Sequence, residues 1–123
     1  QAFWTVLFGK DDRKQISNEI ARVLKPGGTY YLADMALTKS VPAHLERYEH
    51  GKSLGYDYGT FEARNPQTGE LDYLARHYKL EEFKAMLKNV GLDIIDKKLQ
   101  WGKTQSGKDI KLHYIIAKKL INR

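Results

Sequence analysis

Cysteine is absent from the 123 residues. That one absence removes disulfides, thiolate metal sites and a cysteine nucleophile, and it suits a reducing compartment such as the cytoplasm. Long apolar runs are also missing. None approaches the roughly 20 residues a helix needs to cross a bilayer, and no secretory signal is visible, so a cytoplasmic protein without a membrane partner is expected. No glycine-rich loop leaves a strand to open a helix, the arrangement in which backbone N–H groups cradle a phosphate or cofactor. His44, His50 and His113 show no metal-ligand spacing with one another, so no metal site is expected. A Ser–His–Asp arrangement cannot be argued either. Because the first residue is Gln1 rather than Met, the chain is expected to be a cut or processed piece, one partial domain over 1–123.

Acidic residues are scarce toward the end. Lys97 to Arg123 carries eight basic side chains against the single acid Asp109, within a net charge of +6. A basic face of this kind attracts nucleic acid or acidic partners, although a merely solvated surface is the commoner reason for it.

What is present is a sharp helix-to-strand junction. Ile16, Ile20, Val23 and Leu24 recur at helical spacing and predict a buried stripe, with Asp11 or Asp12 as the N-cap. Pro26 stops the helix, and Gly27-Gly28 permits a turn with positive φ. Thr29 to Met35 then reads as a strand covered on both faces. Asp34 lies near its carboxyl end, where ligands of open α/β sheets bind; the alternative is a turn residue bonding its own backbone. Pro42 begins a second helix that Gly51 and Gly55 end. Segments 56–64 and 71–78 flank the turn signal Asn65 to Glu70 and predict a β-hairpin. Leu80, Phe83, Leu87 and Val90 mark a third helix closed by Gly91. Strands over 92–101 and 109–118 form a final antiparallel pair. In the last strand Leu112, Tyr114 and Ile116 take one face, and His113, Ile115 and Ala117 the other.

The hairpin region carries the side chains best suited to touch a substrate. His77 is the candidate base or acceptor ligand, since its unperturbed pKa lies near neutrality; a hydrogen-bonded structural histidine is the alternative. Arg64 and Arg76 can hold an acidic substrate or pair with Glu62, Glu70 or Asp72. Tyr78 completes the set of substrate-side candidates with Asp34.

The run Arg22-Val23-Leu24-Lys25-Pro26-Gly27-Gly28, the strand ending in Asp34, the helix ending in Val90-Gly91-Leu92 and the closing strand pair together resemble the C-terminal half of class I S-adenosylmethionine (SAM) dependent methyltransferases. Lys79 departs from that pattern, where a Ser or Thr helix cap is usual. The resemblance implies a Rossmann-like α/β fold in three layers, with a mixed sheet whose last strand is antiparallel and slotted between strands 29–35 and 92–101. Residues 36–79 would be a substrate-side insertion. The resemblance also implies SAM as cofactor of the complete enzyme and methyl transfer to a small-molecule acceptor. The family's glycine-rich loop and acidic strand end for SAM are missing, so this chain alone is expected to bind SAM poorly and to be inactive. At best Phe3 corresponds to a residue bordering the cofactor, against the alternative of a core aromatic. A sheet lacking its neighbouring strand exposes an edge, so a homodimer through that edge is expected. The competing reading is a small basic α+β module that binds RNA or a protein partner.

Overall fold

A computed structural model of the chain describes residues 10–104 and 107–121. The elements run α1 (Lys10–Val23), β1 (Thr29–Met35), α2 (Pro42–Ser53), β2 (Thr60–Arg64), β3 (Leu71–Arg76), α3 (Leu80–Asn89), β4 (Leu92–Lys103) and β5 (Asp109–Lys119). The Pro-Gly-Gly junction works as its residue types dictate. Gly27 adopts φ +80° and its N–H donates to Lys119 O at 2.9 Å, which locks the turn to the end of β5. The Lys119 ammonium donates to Ala21 O at 2.6 Å and Leu24 O at 2.7 Å, satisfying carbonyls that a helix end leaves unpaired.

The main sheet has the order β1-β5-β4. β5 is antiparallel to both neighbours, so β1 and β4 run parallel to each other with the last strand between them, as expected. Leu32 faces Ile115 and Asp34 faces His113 across the ladder. On this face Leu32, Ile115 and Ala117 join Tyr78, Phe83, Leu87 and Leu92 in the main core, and Ile16 and Ile20 of α1, with Leu24 just past its end, pack against it. The alternation expected for β5 holds: His113, Ile115 and Ala117 are the buried set.

Three local expectations are corrected. Val23 is 67% exposed: the buried stripe of α1 steps by four through Ile16, Ile20 and Leu24, and Val23, the last helical residue, falls beside it. The helix begins at Lys10, so Asp11 and Asp12 sit inside its first turn, where they complement the dipole instead of capping. Among the described residues, strand β1 is covered on one face only. Tyr31 is 72% exposed, and Tyr114, which shares its face through the Ala33–Tyr114 pair, is 40% exposed. The cause is that α1 and α3 both pack on the other face.

The outer edge of β1 is open over most of its length among the described residues. Ala36 N–H bonds Lys111 O, and Lys119 N–H bonds Gly28 O, so even-numbered peptide groups point toward β5. Odd-numbered groups point away. Of these, Met35 O accepts from Tyr78 N–H at 3.2 Å, and Leu37 N–H donates to Tyr78 O at 2.9 Å. This draws 77–78 out of the hairpin toward β1, so β3 ends at Arg76.

The hairpin β2–β3 is antiparallel and packs on α2 through Tyr48, Phe61 and Ala75. Gly51 does not end α2, which runs on to Ser53. It is the point of closest approach: a Cβ there would lie 2.1 Å from Thr60 O. Asn65 organises the hairpin turn by accepting from Gln67 and Thr68 N–H with its side chain. At the start of α3, Lys79 occupies the cap position, where Ser or Thr is more usual. Glu82 compensates by accepting the Lys79 N–H at 2.9 Å, one half of a capping box.

Candidate functional site

Beyond the carboxyl end of β1, the bare face of the sheet meets the hairpin and α2. A cavity of about 430 Å³ lies there, walled by His44, Arg47, Phe61, Arg64, His77 and Lys108. Met35 from the end of β1 and Ile110 from the start of β5 form part of it, which ties the cavity to the sheet. The remaining wall comes mostly from residues 36–79.

His77 is fixed from both directions. Its N–H donates to Gly59 O at 3.0 Å. Gly59 has φ +100°, and a Cβ on it would come 2.7 Å from His77 O, so glycine is required there. Nδ1 of His77 lies 2.6 Å from the Tyr48 hydroxyl, which also accepts the Thr38 N–H at 3.2 Å. Tyr48 is fully buried and burial pushes its pKa up to about 12, so it keeps its proton. That proton needs an acceptor, and Nδ1 is the one within reach. This assigns His77 the tautomer with hydrogen on Nε2. Burial, then the charges of His44 and Arg47, lower the His77 pKa to about 3. Its ring is therefore neutral at pH 7, with one nitrogen accepting and the other donating.

His44 stands edge-on to His77, with ring centroids 5.3 Å apart. It is 6% exposed, and its Nδ1 is buried without a hydrogen-bond partner among the described residues. Burial, followed by the nearby Arg47 and Lys108, lowers its pKa. The Arg47 guanidinium lies 5.6 Å from the Phe61 ring centre, a cation–π arrangement.

The expected site residues divide between two sides of the sheet. Arg64 and His77 line the cavity, while Asp34, Arg76 and Tyr78 do not. Asp34 is completely buried opposite His113, and its Oδ1 accepts the Met35 N–H at 2.8 Å. Arg76 is buried, donates to Thr60 Oγ1 at 3.1 Å and pairs with Glu82 at the start of α3. Tyr78 is fully buried against Phe83, and burial lifts its pKa to about 12. The reason is the alternation of an extended chain: Arg76 and Tyr78 turn toward α3, and His77 between them turns toward α2. Arg64 pairs with Glu62 at 2.9 Å and donates to Gly69 O, one of the pairings foreseen for it. Phe3 lies outside the described residues.

Sequence reasoning missed His44, Arg47, Tyr48 and Lys108. The signal for the first two was the i, i+3 spacing on α2, which puts them on one helical face; Lys108 gave none.

The glycines of the Pro-Gly-Gly turn do not fit a cofactor cradle. The N–H groups of Gly27 and Gly28 are spent on Lys119 O and Lys25 O. Among the described residues no group of three His, Asp or Glu side chains is placed to hold a metal ion, and no helix is long and apolar enough to cross a membrane.

No protein-family model matches the chain, and no curated protein matches it. Among solved structures it is similar to a SAM-dependent methyltransferase from Methanosarcina mazei, with 32% identity and a TM-score of 0.93 over 99% of this chain. The chain spans 57% of the length of that structure. What the geometry and this likeness establish together is a methyltransferase-like fold.

Proposed function

We propose that this chain is the acceptor-side portion of a SAM-dependent methyltransferase, acting in its complete form on a small molecule. The single observation that carries the reading is the one-sided sheet. β5 lies between β1 and β4, helices cover one face, and a cavity opens at the carboxyl end of β1 beside a face and an edge that the described residues leave uncovered. A further set of strands and helices seated there would complete a three-layer α/β sheet and bring SAM to the mouth of the cavity. Residues 36–79 supply most of the cavity wall and so set acceptor choice. In this reading His77 orients the acceptor as a neutral hydrogen-bond donor through Nε2–H. A pKa of about 3 makes it too weak a base for proton abstraction near neutrality.

The test is calorimetry of SAM against this chain alone and against the chain joined to a polypeptide carrying the strand–glycine loop–helix half. Binding by the joined form and none by the chain alone is expected. Absence of binding in both refutes the reading. The open β1 edge also supports self-association of the isolated chain, since unpaired edges recruit other strands. Light scattering over a wide concentration range should show a dimer, and a clean monomer throughout counts against it. The RNA-binding alternative is weakened because Lys119 is spent on α1 carbonyls and Lys103 on Asp109.

A further inference from the structure

The cavity carries more positive charge than it neutralises. Of the charged side chains lining it, Glu62 is the acid, and it is engaged by Arg64 at 2.9 Å with His50 Nε2 at 3.9 Å. Arg47 and Lys108 also line it, and neither forms an ion pair among the described residues. The two buried histidines add no charge at neutral pH, because burial holds both below their ordinary range. Met35, Phe61, Ala63, Ala75 and Ile110 supply an apolar stretch of wall, and Tyr73 and Thr104 add hydroxyl-bearing side chains. A volume of about 430 Å³ falls within the roughly 300–1,000 Å³ of small-molecule sites.

From this juxtaposition we infer that the cavity binds a small molecule with an apolar body and a single anionic group, the anion held between Arg47 and Lys108 and the body against Phe61 and Ile110. The Nε2–H of His77 is left to donate to a neutral oxygen on the same ligand. Both cations stand close enough to His44 to act on it; a neutral ligand would leave them without an anionic partner, whereas a carboxylate gains charge-assisted hydrogen bonds. The inference rests on the methyltransferase reading only in calling this ligand the acceptor; the binding site stands without SAM.

The experiment is an NMR titration of the chain with benzoate and with benzamide, which share a shape and differ in charge. Benzoate should saturate, with shifts confined to α2, the hairpin and the β4–β5 turn, and should bind at least about tenfold tighter than benzamide, as charge-assisted contacts predict. Arg47→Gln and Lys108→Gln lie on exposed positions and should fold normally, checked by circular dichroism. Each should weaken benzoate by about fivefold, while Lys52→Gln, outside the cavity, should leave it unchanged. Equal binding of the two probes, unchanged benzoate affinity in both cavity variants, or shifts mapping instead to the lysines of α3 and β4 would overturn the inference. Saturable benzoate binding by a chain whose joined form never takes up SAM would sustain the site and refute the methyltransferase reading.

Discussion

Removing one oxygen at Tyr48 tests how the site is built. The hydroxyl accepts from Thr38 N–H at 3.2 Å and reaches His77 Nδ1 at 2.6 Å, and all three residues are buried. Tyr48→Phe keeps the ring and its contacts with Phe61 and Ala75 but leaves two polar groups without partners. Each orphan costs about 1–3 kcal/mol. The phenylalanine no longer has a hydroxyl to desolvate, which offsets roughly 1–2 kcal/mol. Taken at the middle of each range, two orphans of about 2 kcal/mol less an offset of about 1.5 leave a net loss of about 2.5 kcal/mol, a large share of the roughly 5–15 kcal/mol that holds a domain together. Urea unfolding followed by circular dichroism measures it, with the slope on denaturant unchanged because the exposed surface is the same. Tyr58→Phe is the control. That hydroxyl makes only an exposed contact of 3.3 Å to Glu49, so its loss should stay within about 0.5 kcal/mol. If the two variants unfold at the same urea concentration, the Thr38–Tyr48–His77 chain does not hold the site, and the tautomer assigned to His77 falls with it.

Three further outcomes are expected. His77 titrates near 3 in the folded chain and near 6.5 unfolded, so the unfolded state takes up a proton that the native state refuses. Stability should be level above about pH 7 and fall as pH drops below about 6.5, by about 1.4 kcal/mol per pH unit for each such histidine. His44 and His113, also lowered by burial, add to the slope, and a flat urea midpoint from pH 7 to 5 would contradict it. Gly51→Ala puts a Cβ 2.1 Å from Thr60 O; a backbone clash of this kind should cost more than about 2 kcal/mol, and an unchanged melting temperature would show that α2 is free to shift. Lys119→Met removes the donor to Ala21 O and Leu24 O and should cost about 1.5–3 kcal/mol, whereas Lys118→Met on the exposed side should be near neutral by the same thermal scan.

Most of the framework was legible because it is periodic or punctuated. The Pro26-Gly27-Gly28 stop, the alternation of β5 and the Asn65 turn each have a local physical cause, and each element is present, although the hairpin strands expected over 56–64 and 71–78 run only over Thr60–Arg64 and Leu71–Arg76. The placement of β5 between β1 and β4 came from family likeness; local pattern alone does not rank sheet neighbours. The site was less legible. His77 and Arg64 were named and do line the cavity, but Arg76 and Tyr78 were grouped with them although an extended chain must send alternate residues to opposite faces. His44 and Arg47 were overlooked because α2 has no strong apolar stripe: its buried residues are His44, Tyr48 and Gly51, of which only Tyr48 reads as part of a packed face. Lys108 joins them only through the fold, across a separation of some sixty residues that no local pattern spans.

The position of β5 also shapes how the chain must come together on the ribosome. Thr29 pairs with Lys118, which is synthesised 89 residues later. At about 5–20 residues per second, β1 emerges and then waits on the order of 5–20 s before its central neighbour exists. During that interval Tyr30, Tyr31 and Leu32 belong to a nascent segment whose β5-side edge is unsatisfied, a condition under which chains associate with one another. Yield of soluble product should therefore respond to translation speed and chaperone supply more than the stability of the finished fold would suggest.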